Sequence, residues 1–154
     1  NFSPEEYRVH HAVVYTNDVN LSLRSRIIQQ YEGYESYTII ARSALVTSSS
    51  KIAGGCALME GAIVNGAILA QNSVINTKAV IEHGCILGNN VFVGPGAIVC
   101  GDTCIGDNVL VGAGVIIRDG IEITENVTIG MGSVVVRSIV EPGVYLGNPC
   151  RKIR

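Results

Sequence analysis

An aliphatic residue returns at nearly every sixth position from Ile40 to Val140, and this period constrains the fold more than any other feature of the chain. The series holds one step of five residues, between Val64 and Leu69, and otherwise keeps its period over 17 units. Its members are Ile40, Val46, Ile52, Leu58, Val64, Leu69, Ile75, Ile81, Leu87, Val93, Val99, Ile105, Val111, Ile117, Ile123, Ile129 and Val135.

A second small or apolar residue follows each of these aliphatic residues by four positions in every regular unit, as Cys85 follows Ile81. Positions six apart drift around a helix of 3.6 residues per turn, so they do not form one face of an α-helix. Short strands joined by tight corners instead return both positions to a common interior. The pattern predicts a β-solenoid, and the composition of 47% hydrophobic and 16% charged residues agrees with a long aliphatic core.

Charge and cysteine content narrow the class of protein. The formal net charge of -2 gives no attraction to nucleic acid or to an anionic membrane. No run approaches the ~18 apolar residues of a membrane span, and no basic-then-apolar leader opens the chain. The five cysteines lack the spacing of a metal site or a disulfide framework. We expect a cytoplasmic protein with reduced thiols, without bound metal, nucleic-acid binding or membrane insertion.

The residues before the repeat follow a different pattern. Val9 to Tyr15 alternates loosely and predicts a strand, and Leu21 to Tyr31 predicts a short amphipathic helix capped by Asn20. Tyr37 to Ile40 predicts a strand that enters the first unit. This order is typical of the last βαβ piece of an α/β domain, which is too short to bury a core by itself.

Two roles follow for this first segment. Residues 1–38 are expected to be the remainder of an α/β domain packed on the first coil, because the chain starts at Asn1 and not at Met. Alternatively, they only cap the open end of the solenoid. Residues 39–154 are expected to form the solenoid and a C-terminal tail.

Units such as IGDNVL at 105–110, VGAGVI at 111–116 and IGMGSV at 129–134 resemble the left-handed parallel β-helix of the hexapeptide-repeat acyltransferases. Right-handed crossovers are the default for parallel strands, so the left hand comes from the resemblance and not from the period. The resemblance implies a triangular prism with three units per coil, which gives a little under six coils. It also implies a homotrimer with active sites between subunits. The expected fold class is all-β, a left-handed parallel β-helix of hexapeptide repeats preceded by a short α/β segment.

Three further segments resemble one branch of this superfamily. They are NTKAVIEHGC from Asn76, GNPCRKI from Gly147 and, before the repeat, VVYTNDVNLSLRSRII from Val13. They are similar to the enzymes that acetylate amino-sugar nucleotides and sialic acids during bacterial surface glycan synthesis. In that branch a small nucleotide-binding α/β domain precedes the helix, so the resemblance implies that residues 1–38 are the remainder of a nucleotide-binding-like domain. The resemblance implies acetyl-CoA as co-substrate and a sugar or sugar nucleotide as acceptor, with N-acetylation of an amino sugar nucleotide as the leading reaction. O-acetylation of sialic acid or of another sugar is the alternative.

His83 is the strongest candidate for catalysis, because it is the only histidine of the solenoid. Ile81 and Cys85 point inward in its unit, so the imidazole is expected to project outward from an edge of the prism. An amine that attacks a thioester loses a proton, and an imidazole accepts a proton near neutral pH. In the resembling family the histidine of this motif is the catalytic base, which the resemblance assigns to His83.

Other candidates surround this histidine in the predicted prism. Glu82 is expected either to orient the His83 ring or to be a solvated acid. Asn76 matches the family motif and is expected to hold the substrate or the imidazole, unless it only shapes its corner. Because one coil has eighteen residues, Gly101 is expected to stack on His83. The backbone N–H of Gly101 is then a candidate donor to the thioester oxygen, and Gly101 is a candidate part of the coenzyme site.

The remaining candidates concern the coenzyme. The eighteen-residue coil also predicts that Ala113 and Met131 stack on each other at corners. In similar enzymes such corners line the pantetheine groove between subunits, so both residues are candidate coenzyme contacts. Arg151 and Lys152 in the tail are candidate partners of the coenzyme phosphates, or a solvated terminus. Phe92 departs from the branch, which often has a second histidine there, so His83 is expected to act without that partner.

Two other functional classes remain open. A metal hydratase similar to the γ-class carbonic anhydrases needs three imidazoles for Zn²⁺, and the solenoid supplies one, which comes close to excluding this class. A non-enzymatic scaffold subunit is the third interpretation, because a fold does not imply an activity.

Overall fold

The computed structural model describes residues 3–11 and 22–154. The described part is nearly all β, a left-handed parallel β-helix with a short strand, helix and strand before it, and the predicted fold class is confirmed. Its elements are β1 Arg8–Val9, α1 Ser22–Gln29, β2 Glu35–Ser36, β3 Ile39–Ile40, β4 Leu45–Val46, β5 Lys51–Ile52, β6 Ala57–Leu58, β7 Ile63–Val64, β8 Ile68–Leu69, β9 Val74–Ile75, β10 Val80–Ile81, β11 Ile86–Leu87, β12 Phe92–Val93, β13 Ile98–Val99, β14 Cys104–Ile105, β15 Leu110–Val111, β16 Ile116–Ile117, β17 Glu122–Ile123, β18 Val127–Ile129, β19 Val134–Val135, β20 Gly143–Leu146 and β21 Arg151–Lys152.

Three parallel sheets form the faces of the prism. Face 1 contains β3, β6, β9, β12, β15 and β18 and continues into the hairpin of β20 and β21. Face 2 contains β4, β7, β10, β13, β16 and β19, and face 3 contains β5, β8, β11, β14 and β17. Each strand pairs with the strand one coil away, as Ile81 pairs with Val99, eighteen residues on. The coil that contains the short unit is one residue shorter, because Val64 pairs with Ile81.

The corners between faces repeat one backbone conformation. Every sixth residue from Gly84 to Gly132 has a positive φ, and each of these residues is glycine, asparagine or aspartate. Asn108, for example, has φ 57°. Residues of these three types enter the left-handed region most readily, so each unit bends after a strand of two residues. The corners between faces 1 and 2, 2 and 3, and 3 and 1 are called edges 1–2, 2–3 and 3–1.

The core is the inward column that the sequence predicts. Ile81, Val99 and Ile117 are fully buried, as are the small residues Ala79 and Cys85. Each such aliphatic side chain contributes roughly 1.5–3 kcal/mol by burial. The first coil differs, because Ile40 is 50% exposed. At the other end the β20–β21 hairpin pairs with β18, and Tyr145 and Cys150 pack against the core.

The outward residues differ between the faces. On face 1, Ala57, Val74, Phe92 and Leu110 form a second buried cluster. On face 2 the outward row is aliphatic and at least partly exposed along all six strands: Leu45, Ile63, Val80, Ile98, Ile116 and Val134. On face 3 the row begins at Lys51 and ends at Glu122.

The segment before the solenoid forms a small parallel unit. Strand β1 pairs in parallel with β2, and helix α1 lies between them in sequence. The predicted helix cap Asn20 and most of the strand predicted over 9–15 lie outside the described residues. Of the strand predicted over 37–40, only Ile39–Ile40 is a strand, β3, and β2 ends just before this range, at Ser36.

Helix α1 docks on edge 3–1 beyond the first coil. The buried Arg24 side chain donates from Nη2 to the backbone oxygen of Asn72 at 2.7 Å. The Ser25 hydroxyl donates to Asn108 Oδ1 at 2.9 Å and accepts a hydrogen bond from Asn90 Nδ2 at 2.7 Å. The helix thus bridges corners of three successive coils, and before the solenoid Thr38 Oγ1 donates to the Ala53 carbonyl of the first coil at 3.1 Å. No helix of the described chain is long and apolar enough to cross a membrane.

Candidate functional site

His83 lies at edge 2–3 with its side chain exposed, as the sequence predicts. Its imidazole lies against Gly101 of the next coil, because a Cβ added to Gly101 would stand 2.7 Å from ring Cε1 and 3.0 Å from Nε2. The Asp102 backbone N–H donates to the His83 carbonyl at 2.8 Å, which ties the two corners together. The predicted stacking of Gly101 on His83 is therefore present, and only a residue without a side chain leaves room for the ring there.

The backbone N–H of Gly101 finds no hydrogen-bond acceptor among the described residues. At edge 3–1 the equivalent N–H of Asn89, by contrast, donates to Asp107 Oδ1 at 2.7 Å. This stretch of edge 2–3 therefore combines an imidazole with an unpaired backbone donor.

Glu82 does not hydrogen-bond to the His83 ring. Its carboxylate accepts a hydrogen bond from Asn65 Nδ2 at 3.0 Å, across the corner of the short unit. Among residues 3–11 and 22–154, no side chain or backbone group hydrogen-bonds to the His83 imidazole. Glu82 and Asn65 thus form a pair beside the histidine, and the ring orientation depends on its packing against Gly101.

Three of the other predicted site residues share edge 1–2, one face away from His83. Asn76 begins the corner after β9, and its Oδ1 accepts the Thr77 backbone N–H at 2.7 Å. Ala113 and Met131 occupy corners of later coils on this edge, stacked on each other as predicted. A Cβ on Gly112 would lie 2.6 Å from the backbone nitrogen of Met131. The catalytic and coenzyme candidates therefore lie on two different edges of one chain.

The C-terminal tail continues edge 1–2. Cys150 donates its backbone N–H to the Val134 carbonyl at 2.8 Å, so the residues that precede β21 stack above face 2. Lys152 Nζ forms an ion pair with Glu141 Oε2 at 2.8 Å. Within the part of the chain that the structure describes, the exposed Arg151 guanidinium hydrogen-bonds only to the Cys150 carbonyl, at 3.0 Å. Arg151 is therefore the more available cation of the two.

The thiols near the site are protonated at neutral pH. Burial raises the pKa of the Cys100 thiol, and the carboxylates of Asp119 and Glu82 raise it further. Burial also raises the pKa of Cys85, whose Sγ donates to the Cys100 carbonyl at 3.1 Å. A thiolate is the nucleophilic form of cysteine, so neither side chain is prepared for covalent catalysis.

The other two histidines and Phe92 lie away from the His83 ring. His10 and His11 belong to the segment before the solenoid, away from His83, and no cluster of His, Cys, Asp and Glu among the described residues has the geometry to hold a metal ion. Phe92 is 7% exposed and packs with Val74 and Leu110 on the outside of face 1. It therefore lies on a different face from the His83 ring.

Asn65 is the residue of this site that sequence reasoning missed. The signal was present, because the five-residue unit places its shortened corner directly below His83. Gly66 in that corner has φ 64°, and a Cβ added to it would lie 4.0 Å from His83 Cα. A break in a strict period at a candidate site thus marks local geometry that the regular repeat does not provide.

Comparison with known proteins agrees with this architecture. Residues 102–137 match the bacterial transferase hexapeptide family (six repeats). No curated protein sequence is significantly similar to the chain.

Solved structures are similar over almost the whole chain. The acetyltransferase domain of PglB from Neisseria gonorrhoeae is 29% identical with a TM-score of 0.88, over 99% of this chain and 73% of that one. The same domain in complex with acetyl coenzyme A is 28% identical, with a TM-score of 0.87, 99% of this chain and 73% of that one. A mutant of perosamine N-acetyltransferase from Caulobacter crescentus, in complex with CoA and GDP-perosamine, is 25% identical with a TM-score of 0.86, over 96% and 69% of the two chains.

Proposed function

We propose that the chain is an acyltransferase of the hexapeptide-repeat, left-handed β-helix family, and that it transfers the acetyl group of acetyl-CoA to the amine of a nucleotide-activated amino sugar. The observation that carries the proposal is the exposed His83 imidazole held against Gly101, beside an N–H without an acceptor. The complexes of similar enzymes with acetyl coenzyme A and with CoA and GDP-perosamine support both substrates. We place the reaction in cytoplasmic synthesis of bacterial surface glycans.

The separation of the site residues supports a homotrimer. His83 and Gly101 lie on edge 2–3, whereas Asn76, Ala113 and Met131 lie on edge 1–2, with face 2 between them. In a threefold-symmetric trimer in which face 2 of every copy points to the symmetry axis, edge 2–3 of one copy lies beside edge 1–2 of the next.

The aliphatic row of face 2 supplies the apolar surface for that contact. Its Leu45 is 64% exposed and Ile116 is 42% exposed, and no charged side chain interrupts the row. Face 3, by contrast, begins at Lys51 and ends at Glu122. In the proposed trimer each active site contains His83 and Gly101 of one copy and Asn76 of its neighbour.

The chemistry follows from these positions. The acceptor nitrogen attacks the thioester carbonyl carbon, and the Gly101 N–H stabilises the negative charge that develops on the carbonyl oxygen. His83 accepts the proton that the nitrogen loses. The tetrahedral intermediate then collapses, the C–S bond breaks, and the proton on His83 goes to the thiolate of coenzyme A. General-base catalysis is typically worth ~10²–10⁴-fold, which is the share assigned to His83.

The coenzyme is placed along edge 1–2 of the neighbouring copy. Its thioester lies at the height of His83, its pantetheine arm passes Ala113 and Met131, and its phosphates reach the tail. Arg151 is the leading phosphate partner, because Lys152 already pairs with Glu141. Phosphate oxygens accept charge-assisted hydrogen bonds from a guanidinium, often two at once.

The test is the turnover of purified protein against UDP-amino sugars, GDP-amino sugars and sialic acid, for the wild type and for His83→Ala. We expect transfer to an amine and a loss of kcat of about 10²–10⁴-fold in the variant, with unchanged acetyl-CoA affinity and melting temperature. His10→Ala is the matched control, because it removes an imidazole from the segment before the solenoid. Full turnover by His83→Ala would contradict the mechanism in favour of catalysis by proximity alone. Transfer only to a hydroxyl group would replace N-acetylation by O-acetylation.

A further inference from the structure

Lys78 is the exception among the left-handed corner residues. It has φ 56°, and the other five non-glycine residues with positive φ among residues 3–11 and 22–154 are asparagine or aspartate, such as Asn72 and Asn90. Short polar side chains tolerate this conformation because they hydrogen-bond locally, whereas a lysine side chain does not. Glycine or asparagine would meet the backbone requirement at 78 with less strain. The corner geometry therefore does not explain the lysine.

The Lys78 side chain is exposed and free of carboxylate partners. None of the described acidic groups lies within ion-pair distance of its ammonium. Its Cγ lies 3.4 Å from the position that a Cβ on Gly61 would occupy, so the side chain runs over the preceding coil. The first part of the side chain thus lies on the side of edge 1–2 that faces away from Ala113 and Met131.

The height of Lys78 along the prism places it at the reaction centre of the proposed trimer. It follows Asn76 in the same corner and belongs to the same coil as His83. The candidates for coenzyme binding, Ala113, Met131 and Arg151, all lie further toward the C-terminus on this edge. A thioester at His83 therefore leaves the coenzyme phosphates on the opposite side from Lys78, and the group that Lys78 meets belongs to the acceptor.

We propose that Lys78 determines acceptor specificity by binding the phosphate groups that activate the amino sugar. This inference rests on the proposed function, because it places Lys78 of one copy opposite His83 of the next. An unpaired ammonium binds phosphate as a point charge, without the planar geometry that a guanidinium requires. Strained backbone persists where function requires the residue, which accounts for a lysine at a left-handed position.

The kinetic test compares Lys78→Asn, which suits the backbone, with Lys78→Arg, which keeps the charge. Acceptors are a nucleotide-activated amino sugar, the corresponding sugar 1-phosphate and the free amino sugar. For Lys78→Asn we expect KM for the activated sugar to rise about tenfold or more, with kcat and KM for acetyl-CoA unchanged. Lys78→Arg should retain most of the affinity. The control is Lys51→Asn, which removes an exposed lysine from face 3 and should leave all three constants unchanged.

The three acceptors separate the sources of the phosphate. If only the nucleotide-activated sugar loses affinity, Lys78 binds the diphosphate; if the sugar 1-phosphate loses affinity as well, one phosphate on the sugar is enough. Unchanged KM for both, or a rise in KM for acetyl-CoA, would overturn the inference.

A binding measurement separates this inference from the proposed function. Calorimetric titration of His83→Ala with UDP and with GDP reports binding without turnover. A loss of that binding on adding Lys78→Asn supports the phosphate site even if no acetyl transfer is found. Undiminished binding overturns it even if transfer is found.

Discussion

Replacing Gly101 by alanine tests whether the position of the His83 ring, and not only its presence, supports catalysis. The added Cβ would stand 2.7 Å from Cε1, 3.0 Å from Nε2 and 3.2 Å from Nδ1 of the imidazole. Carbon atoms in contact prefer about 3.5–4.0 Å, so the ring must retreat by about 1 Å. A misplacement of about 1 Å costs on the order of 10²-fold in rate, and we expect kcat to fall by that order.

The same substitution should leave the fold intact. Gly101 does not occupy the left-handed region, and the exposed His83 side chain has solvent to move into. Replacing glycine by alanine at a compatible φ contributes about 0.4–1 kcal/mol of stability by restricting the unfolded chain. We therefore expect a melting temperature equal to or slightly above that of the wild type.

The assay measures kcat, KM and melting temperature for Gly101→Ala and for Gly54→Ala. Gly54 is the control because its added Cβ would lie 3.3 Å from the Ser36 carbonyl oxygen and 3.6 Å from Ser36 Cβ, far from the histidine. Combining Gly101→Ala with His83→Ala should add no further loss, because the backbone N–H at 101 is retained and no ring remains to displace. Full turnover by Gly101→Ala, or two independent losses that multiply in the double variant, would refute the reasoning.

Three other predictions concern the tail, a thiol and a buried histidine. Arg151→Ala should raise KM for acetyl-CoA by about tenfold, whereas Lys152→Ala, whose ammonium already pairs with Glu141, should raise it less; equal effects in steady-state kinetics would contradict this order. Cys100→Ala should keep kcat within a few fold, because its raised pKa leaves a protonated thiol; abolished turnover, or an acetylated thiol in mass spectrometry of the wild type, would indicate an acyl-enzyme. Burial lowers the pKa of His11, with further lowering by the charges of Arg24 and His10, so the unfolded chain takes up its proton first as the pH falls below about 6.5. The melting temperature should therefore fall more between pH 7.5 and 5.5 in the wild type than in His11→Gln, and parallel decreases would show that His11 does not contribute.

The period of the sequence was sufficient for the solenoid and for part of the site. In a solenoid each residue contacts residues a fixed number of positions away, so counting along the chain gives spatial neighbours. The inward placement of Ile81 and the stacking of Gly101 on His83 follow from that count. The hand of the helix came from the resemblance, because an inward period is the same in either hand.

Counting along the repeat did not predict contacts made outside the repeat, or which of several neighbours a side chain hydrogen-bonds to. Glu82 bonds to Asn65 and not to His83, because the shortened corner below the histidine brings the Asn65 amide within reach. Arg24 is buried against Asn72 through the docking of a non-repeating helix, which no period describes.

The sequence by itself determined which residues point into the prism and which corners stack, because backbone pairing between coils has one register. Only the tertiary structure decided how the exposed corner side chains are used: the His83 ring packs on Gly101, and Lys78 holds a left-handed conformation. These choices depend on torsion angles and on neighbours from other coils, which local sequence preferences do not fix. The physical reason is that backbone hydrogen bonds and core packing set the coil, whereas exposed side chains at corners respond to what lies beside them in space.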